Sequence, residues 1–205
     1  DCLLSRGLGD VYKRQVFILG FNHNASREGS NRIHFKIGKI GGTQVGLCDS
    51  SYGSSTSTSG KFTMNTSNTN SGGWKSSQMR TNICGTSLSS YSGTIIAVIP
   101  AALRAVLKSV TKYTDNTGGG STAASAVTAT TDYFFLLSEF EVFGSISYGN
   151  TNEKNKQAQY AYYSAGNSKI KYKHNGTSTA AYWWLRSTYA SYSDRFVNVY
   201  TGGTV

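Results

Sequence analysis

Short apolar runs separated by long polar stretches set the pattern of this chain. Val16–Phe21 is continuously apolar and ends at a cluster of turn residues, which predicts a buried strand. Ile33–Ile37 alternates apolar and polar positions, which predicts a half-buried strand with Phe35 and the isoleucines inside and His34 in solvent. Two strands are therefore expected near the start of the chain.

Two later segments have the spacing of short helices. Trp74–Cys84 carries apolar residues four positions apart and is followed by Gly85, a natural stop. Pro100 stands at the favoured first position of a second helix, with Lys108 and Lys112 near its C-terminal end. The apolar stripe of this second helix consists of Leu103, Val106, Leu107 and Val110.

The other elements follow from apolar runs between polar segments. Asp132–Ser138 is apolar on both faces, which predicts a central strand, and Phe196–Tyr200 alternates as a further strand. Residues 49–73 and 114–131 are rich in Ser, Thr and Gly and are expected to be loops. The first of these loops holds two core residues, Phe62 and Met64.

Three lysines alternate with apolar residues near the end of the chain. Lys169, Lys171 and Lys173 lie on one face if this segment is a strand. Such a face is either an anion-binding strip or the lysine-protected edge of a sheet, where the charges prevent pairing with another chain. The sequence favours the second interpretation.

Composition describes a folded, polar and basic protein. Of its 205 residues, 15% are charged and 13% are aromatic, which is too aromatic for a disordered chain. The formal charge of +10 favours polyanionic partners in general, but the basic residues are scattered and form no nucleic-acid-binding motif. No stretch approaches the roughly 20 apolar residues of a membrane span.

The two ends of the chain determine the predicted domain boundaries. Residues 1–15 look like translated sequencing-adaptor read-through and are expected to be an artefactual or disordered segment. The rest, residues 16–205, is expected to be a single domain. The turn residues Gly202 and Gly203 have no strand after them, so we expect the domain to be truncated at its C-terminus.

Five strings, taken together in this order, resemble a bacterial domain-of-unknown-function family, family 6273, marked by a WWLRS-like motif. They are Ile18–His23, Gly72–Thr81, Phe135–Gly144, Gln159–Tyr163 and Trp183–Ser187. The resemblance implies proteins of Gram-positive gut bacteria and their prophages, often surface-associated. It also implies an α+β, C-type-lectin-like fold: two short helices with small antiparallel sheets and long loops.

The paired tryptophans Trp183 and Trp184 point to opposite faces of a strand, so they cannot form one stacking platform. One is expected in the core, with the other partly exposed, and Trp74 is a further structural residue. Arg186 shares a face with Trp184 and needs a carboxylate there, because an unpaired buried charge is costly. The sequence predicts Glu139 or Glu141 as that partner.

The segment after this motif is the candidate binding face. It mixes tyrosines with hydroxyls, an aspartate and an arginine, the composition of an antibody-like binding loop. The predicted ligand-binding residues are Tyr189, Tyr192, Asp194, Arg195, Asn198 and Tyr200. The alternative is an ordinary exposed hairpin.

The function expected from these patterns is a non-enzymatic recognition domain that binds a protein or glycan ligand outside the cell, at the cell surface or on a virion. An alternative is a structural or adhesion module of a bacterial surface or prophage protein. No metal, cofactor or catalytic group is expected, since His23, His34 and His174 stand isolated in the sequence. A cysteine-dependent oxidase built on Cys48 and Cys84 is the enzymatic alternative, and a disulfide between these two cysteines is the other possibility.

Overall fold

A computed structural model describes residues 15–40, 43–44, 63–173 and 176–205. The fold is mixed α and β, with small antiparallel sheets and a few short helices. The strands are β1 (Gln15–Phe21), β2 (Ile33–Ile40), β3 (Thr43–Gln44), β4 (Val110–Asp115), β5 (Val127–Asp132), β6 (Lys171–Lys173), β7 (Gly176–Ala181), β8 (Trp183–Thr188) and β9 (Phe196–Val199). The α-helices are α1 (Ala25–Glu28), α2 (Gly73–Ser76), α3 (Ala101–Arg104), α4 (Glu139–Phe143) and α5 (Ala161–Ser164).

Other helical turns are a π-helix at Met79–Cys84 and 3₁₀ turns at Ile95–Val98, Ala124–Ala126 and Thr151–Asn155. Within the described residues the strands form four small sheets: β1, β2 and β3 form one, and the pairs β4 and β5, β6 and β7, and β8 and β9 form the others. In the described part of the chain no helix is both long and apolar enough to span a bilayer.

The tryptophan-bearing strand β8 lies at the centre of the core. All six of its residues are buried, and its neighbour β9 is buried along its full length. Trp183 and Trp184 are only 3% and 2% exposed, so the expectation that one of them reaches the surface is wrong. Core residues from other elements, including Trp74 and Tyr160, pack against this strand pair and cover both of its faces.

Strand β2 is present, and Phe35 packs against the core as predicted, but the burial of its neighbours differs from the prediction. His34 and Lys36 are buried, while Ile33 is 58% exposed. The polar residues face inward because they have polar and aromatic partners there. His34 is hydrogen-bonded to the Tyr160 hydroxyl, and the Lys36 ammonium lies near the Tyr163 hydroxyl and three aromatic rings. Strand β1 is likewise present, with Leu19 as its buried residue.

Both predicted helices are shorter than the sequence pattern suggested. Trp74–Cys84 divides into α2 and the π-helix, with extended backbone at Ser77 between them, although Gly85 ends the segment as expected. The helix after Pro100 stops at Arg104. Val110 and Lys112, assigned above to that helix, belong instead to β4, where the alternation of Val, Thr and Tyr suits a strand.

The predicted central strand at 132–138 is wrong. Only Asp132 lies in a strand, the end of β5, which itself occupies part of a segment predicted to be a loop. The following residues run without strand pairing into α4, whose N-cap is Ser138. The Ser138 hydroxyl accepts from the Glu141 N–H, and the Glu141 carboxylate accepts from the Ser138 N–H, so the two form a capping box.

Met64 is fully buried, as expected of a core residue, whereas Phe62 lies outside the described residues. The strand predicted at 196–200 is confirmed as β9, which pairs antiparallel with β8. The lysine strip is confirmed as a strand only at β6. Cys48 and His174 also lie outside the described residues, as does most of the artefactual segment expected at 1–15.

Candidate functional site

A buried ion pair joins β8 to α4. The Arg186 guanidinium grips the Glu141 carboxylate with two nitrogens, one of them at Nη2–Oε1 2.9 Å, and neither side chain is exposed. Arg186 also donates to the Thr114 hydroxyl at 2.7 Å and to the Leu136 carbonyl at 2.8 Å. The predicted contact between Arg186 and a carboxylate is therefore present, with Glu141 as the partner.

Lys112 extends this pair into a chain of alternating charges. Its ammonium donates to Glu28 Oε2 at 2.6 Å, to Glu141 Oε1 at 2.9 Å and to the Tyr160 hydroxyl at 2.9 Å. Two carboxylates thus face two cations, so the buried charges balance. Burial alone would raise the pKa of Glu141, but Arg186 and Lys112 hold it well below its usual range.

Two histidines border the ion chain, so they are not isolated in space. His23 stacks on the Tyr160 ring at 3.7 Å between centroids, and His34 Nδ1 lies 2.8 Å from the Tyr160 hydroxyl. Burial lowers the pKa of His23 to about 4 and that of His34 to about 3. Both rings are therefore neutral at physiological pH.

One group of residues near these histidines has the spacing of metal ligands. Ligand atoms of His23, Glu28 and Glu141 lie within 4.8 Å of one another, and all three residues are buried. The Lys112 ammonium already contacts both carboxylates, and Arg186 takes up Glu141 as well. A divalent cation would have to displace Lys112, so the cluster is better described as an ion chain with an internal cation.

Glu139, the other predicted partner of Arg186, has a different role. Its carboxylate accepts the backbone N–H groups of Ser147 at 2.6 Å and Gly149 at 2.8 Å. Burial raises the pKa of Glu139, and these N–H donors act against that shift. Glu139 thereby fixes the backbone that carries Tyr148.

Ser187, the last residue of the motif, links two other acidic residues. Its hydroxyl donates to Glu153 Oε2 at 2.7 Å and accepts the Glu139 N–H at 3.1 Å. Burial raises the pKa of Glu153 to about 7, although the N–H of Asp115 and other donors stabilise its charged form. The whole Trp183–Ser187 motif is thus internal.

A second internal site surrounds Trp74. Its indole N–H donates to Asp132 Oδ2 at 3.0 Å, and the Arg80 Nε donates to Asp132 Oδ1 at 2.6 Å. Cys84 is free and buried nearby, and burial together with the Asp132 charge raises its pKa to about 12. Its thiol is therefore protonated at neutral pH, which makes it a poor nucleophile.

The candidate surface site is a cluster of tyrosines. Tyr148 and Tyr192 are 42% and 48% exposed, and Tyr189 lies between them, with ring centroids 5.1 Å from Tyr148 and 5.8 Å from Tyr192. The Arg195 guanidinium lies 4.5 Å from the centre of the Tyr192 ring. We call Tyr148, Tyr189, Tyr192 and Arg195 the tyrosine face.

The loop that carries this face is fixed by a buried amide. Asn70 is fully buried, and its side-chain nitrogen donates to the carbonyls of Tyr192 and Arg195, each at 2.8 Å. Its side-chain oxygen accepts the Gly119 N–H at 2.7 Å, and its own N–H donates to Ser193. Three of these four hydrogen bonds hold the loop, and the fourth ties Asn70 to Gly119.

The structure distributes the predicted ligand-binding residues unevenly. Tyr189, Tyr192 and Arg195 come together in the tyrosine face, and Asp194 lies beside Arg195, with an Nε–Oδ1 distance of 3.5 Å. Tyr200 packs edge to face on Tyr182 at 5.1 Å. Asn198 is only 3% exposed in β9, so its assignment to a binding surface is wrong.

Tyr148 is the residue of this face that sequence reasoning missed. It lies 41 positions before Tyr189 in the chain. The two meet because Ala190 donates its N–H to the Tyr148 carbonyl at 2.8 Å, beside an isolated bridge between Gly149 and Tyr189. The resemblance strings also stop short of Tyr148.

Comparison with known proteins identifies the family. Residues 54–205 match the family described as Domain of unknown function (DUF6273), and the chain belongs to it. No curated protein and no solved structure matches the chain. The ion chain joins the matched residues to the part before them, because Glu28 lies outside the matched range while Lys112, Glu141 and Arg186 lie inside it.

Proposed function

We propose that this protein is a non-enzymatic recognition domain whose tyrosine face binds a protein or glycan ligand. The observation that carries the proposal is the combination of exposed rings and a fixed backbone. Tyr148 and Tyr192 expose much of their ring surface, yet the loop between 189 and 195 is held by the buried Asn70. A binding loop that is already ordered loses little conformational entropy when its ligand arrives.

The chemistry of the face suits both ligand classes. Tyrosine offers a rigid apolar ring with a polar hydroxyl, and few side-chain torsions have to be fixed on binding. Arg195 adds a positive charge over the Tyr192 ring, where it can also meet an acidic group. Protein epitopes and sugar rings both present the mixture of apolar faces and hydroxyl or carbonyl groups that such a surface binds.

The proposal extends to the architecture and the location of the protein. A C-type-lectin-like arrangement accommodates the small antiparallel sheets, the short helices and a tryptophan-bearing strand followed by a binding loop. A bacterial surface, extracellular or virion-associated setting agrees with the sparse charge and the many hydroxyl groups of the sequence. A structural or adhesion module without a dedicated ligand is the competing function.

Glycan and protein arrays probed with the whole chain test this function. We expect reproducible ligands whose binding falls at least about tenfold in Tyr192→Ala and Tyr148→Ala, since aromatic anchors contribute strongly to interfaces. Tyr91→Ala is the matched control, because Tyr91 also packs under an arginine, Arg104 at 4.4 Å, but lies outside the tyrosine face. Absence of binding on both arrays, or equal loss in the control, would favour the structural module.

A further inference from the structure

A large apolar cleft lies away from the tyrosine face. Its volume is about 460 Å³, within the range of small-molecule sites. Strands β1 and β2 contribute Leu19 and Phe35, the region around α3 contributes Leu103, and β8 contributes Trp183 and Trp184. The walls therefore suit a hydrocarbon body.

The charged residues of this cleft are all basic. Arg32, Lys36, Lys108 and Lys171 line it, and no aspartate or glutamate stands among the described residues of its wall. Lys171 is the most informative of the four: it is half-buried, and its ammonium lies 3.7 Å from the centre of the Trp183 ring. It makes no ion pair with any described residue.

Burial and the neighbouring charge of Lys36 both lower the pKa of Lys171. An anion in the cleft would offset both effects, because an opposite charge favours the protonated amine. A cationic ligand would add repulsion. A neutral ligand would leave the Lys171 charge without a counter-ion in apolar surroundings, which is costly.

We propose that the cleft binds a hydrocarbon carboxylate, with its chain against Leu19, Phe35 and Leu103 and its carboxylate paired with the Lys171 ammonium beside Trp183. The single charge of a carboxylate matches the single charge of the half-buried Lys171. The rest of the ligand then replaces water against apolar side chains, at roughly 25 cal/mol for each Å² of apolar surface removed from water.

Tryptophan fluorescence offers a direct test on the intact protein, because Trp183 and Trp184 both line the cleft while Trp74 does not. Decanoate and decanol, which share a chain and differ in charge, are titrated below their aggregation limits. We expect saturable binding of decanoate at least about tenfold tighter than that of decanol, the worth of one charge-assisted hydrogen bond. Affinity for decanoate should fall as the pH rises and Lys171 loses its proton.

Lys171→Met removes the charge and keeps an apolar side chain of similar length. It should weaken decanoate about tenfold and leave decanol unchanged, whereas the exposed Lys154→Met should change neither. The proposal is overturned if decanoate shows no saturable binding, if decanol or decyltrimethylammonium binds as tightly, or if Lys171→Met has no effect. Circular dichroism of each variant verifies that a loss of binding is not a loss of fold.

Discussion

The ion chain and the tyrosine face use polar groups in opposite ways. In the ion chain, Glu28, Lys112, Glu141 and Arg186 satisfy one another away from water, so none of them has capacity left for a ligand. In the tyrosine face, the rings of Tyr148 and Tyr192 touch Tyr189 but keep much of their surface exposed. The contrast indicates that the most chemically conspicuous cluster is architectural, while the plainer surface is available for recognition.

Removal of Arg186 should destabilise the protein more than any change to the tyrosine face. Arg186→Met leaves Glu141 fully buried with Lys112 as its only cation, and breaking a buried pair costs about 3–5 kcal/mol of unfolding free energy. Urea denaturation measures the loss. The control is Arg195→Met, which removes a half-exposed arginine from the tyrosine face; equal small losses in both variants would mean that the ion chain is not architectural.

Trp74→Ala tests the interior at a second point. Trp74 is fully buried and donates to Asp132, so its removal leaves a cavity and takes away one of the hydrogen-bond donors of that carboxylate. We expect a loss on the order of 3–5 kcal/mol in the same denaturation assay. Trp74→Phe, which keeps most of the ring, should lose clearly less, and the reverse order would contradict the packing role.

The buried histidines should make the interior acid-sensitive. Their pKa values in the folded protein, about 4 and about 3, lie below the unfolded value near 6.5. The stability that the neutral rings contribute is therefore complete above pH 6.5 and is lost as the pH falls from 6.5 towards the folded pKa values. Glu153, with a pKa raised to about 7, acts in the opposite direction, so the wild-type curve alone is not diagnostic.

The informative quantity is the stability of wild type minus that of His34→Gln at each pH. Between pH 7 and pH 5 this difference should shrink by about 2 kcal/mol. In this range His34 binds a proton in unfolded wild type but not in the folded protein, whereas the glutamine of the variant binds none in either state. Glu153 contributes equally to both proteins and cancels. A difference that stays constant with pH would show that His34 does not titrate as its burial requires.

Asn70 connects the two regions, since it is buried itself but shapes the surface loop. Asn70→Ala should cost about 1–2 kcal/mol through the carbonyls it leaves unpaired. Asn70→Ala should also lower the affinity for a ligand found on the arrays, although no residue of the tyrosine face has changed. Hydrogen exchange at residues 189–195 provides the check: unchanged protection there would mean that the loop is held by other contacts.

The smallest effect on stability is expected at the tyrosine face. Tyr192 is 48% exposed, so Tyr192→Ala should change the unfolding free energy by no more than about 0.5 kcal/mol while removing ligand binding. Thermal unfolding followed by circular dichroism measures this. A large destabilisation would mean that Tyr192, like Arg186, stabilises the fold.

Some of these features were legible in the sequence. A strand carrying an arginine among tryptophans required a buried carboxylate, and Glu141 supplies it. The Ser138–Glu141 spacing is that of a capping box, a local signal for the helix that stands where a strand was predicted to end. The apolar run before it suggested a central strand only because periodicity cannot distinguish strand pairing from an extended buried segment.

Other features depend on partners that are distant in the chain. His34 and Lys36 face inward because Tyr160 and Tyr163 meet them from more than 120 positions away. Tyr148 joins the tyrosine face by a contact with the 189–195 loop, and Tyr189 is 41 positions away in the chain. An alternating pattern in a short segment predicts that its polar residues face solvent. It contains no information about distant tyrosine hydroxyls that take the place of water as hydrogen-bond partners.

The ion chain also has a consequence for the order of folding. Its four charges come from α1, β4, α4 and β8, so the first and last are separated by nearly the whole described chain. Loops of that length must close before opposite charges can compensate for their lost hydration, and such long-range closure slows folding. We therefore expect the chain to collapse around its aromatic core first and to lock its charges together last, at the step that commits the molecule to the native state.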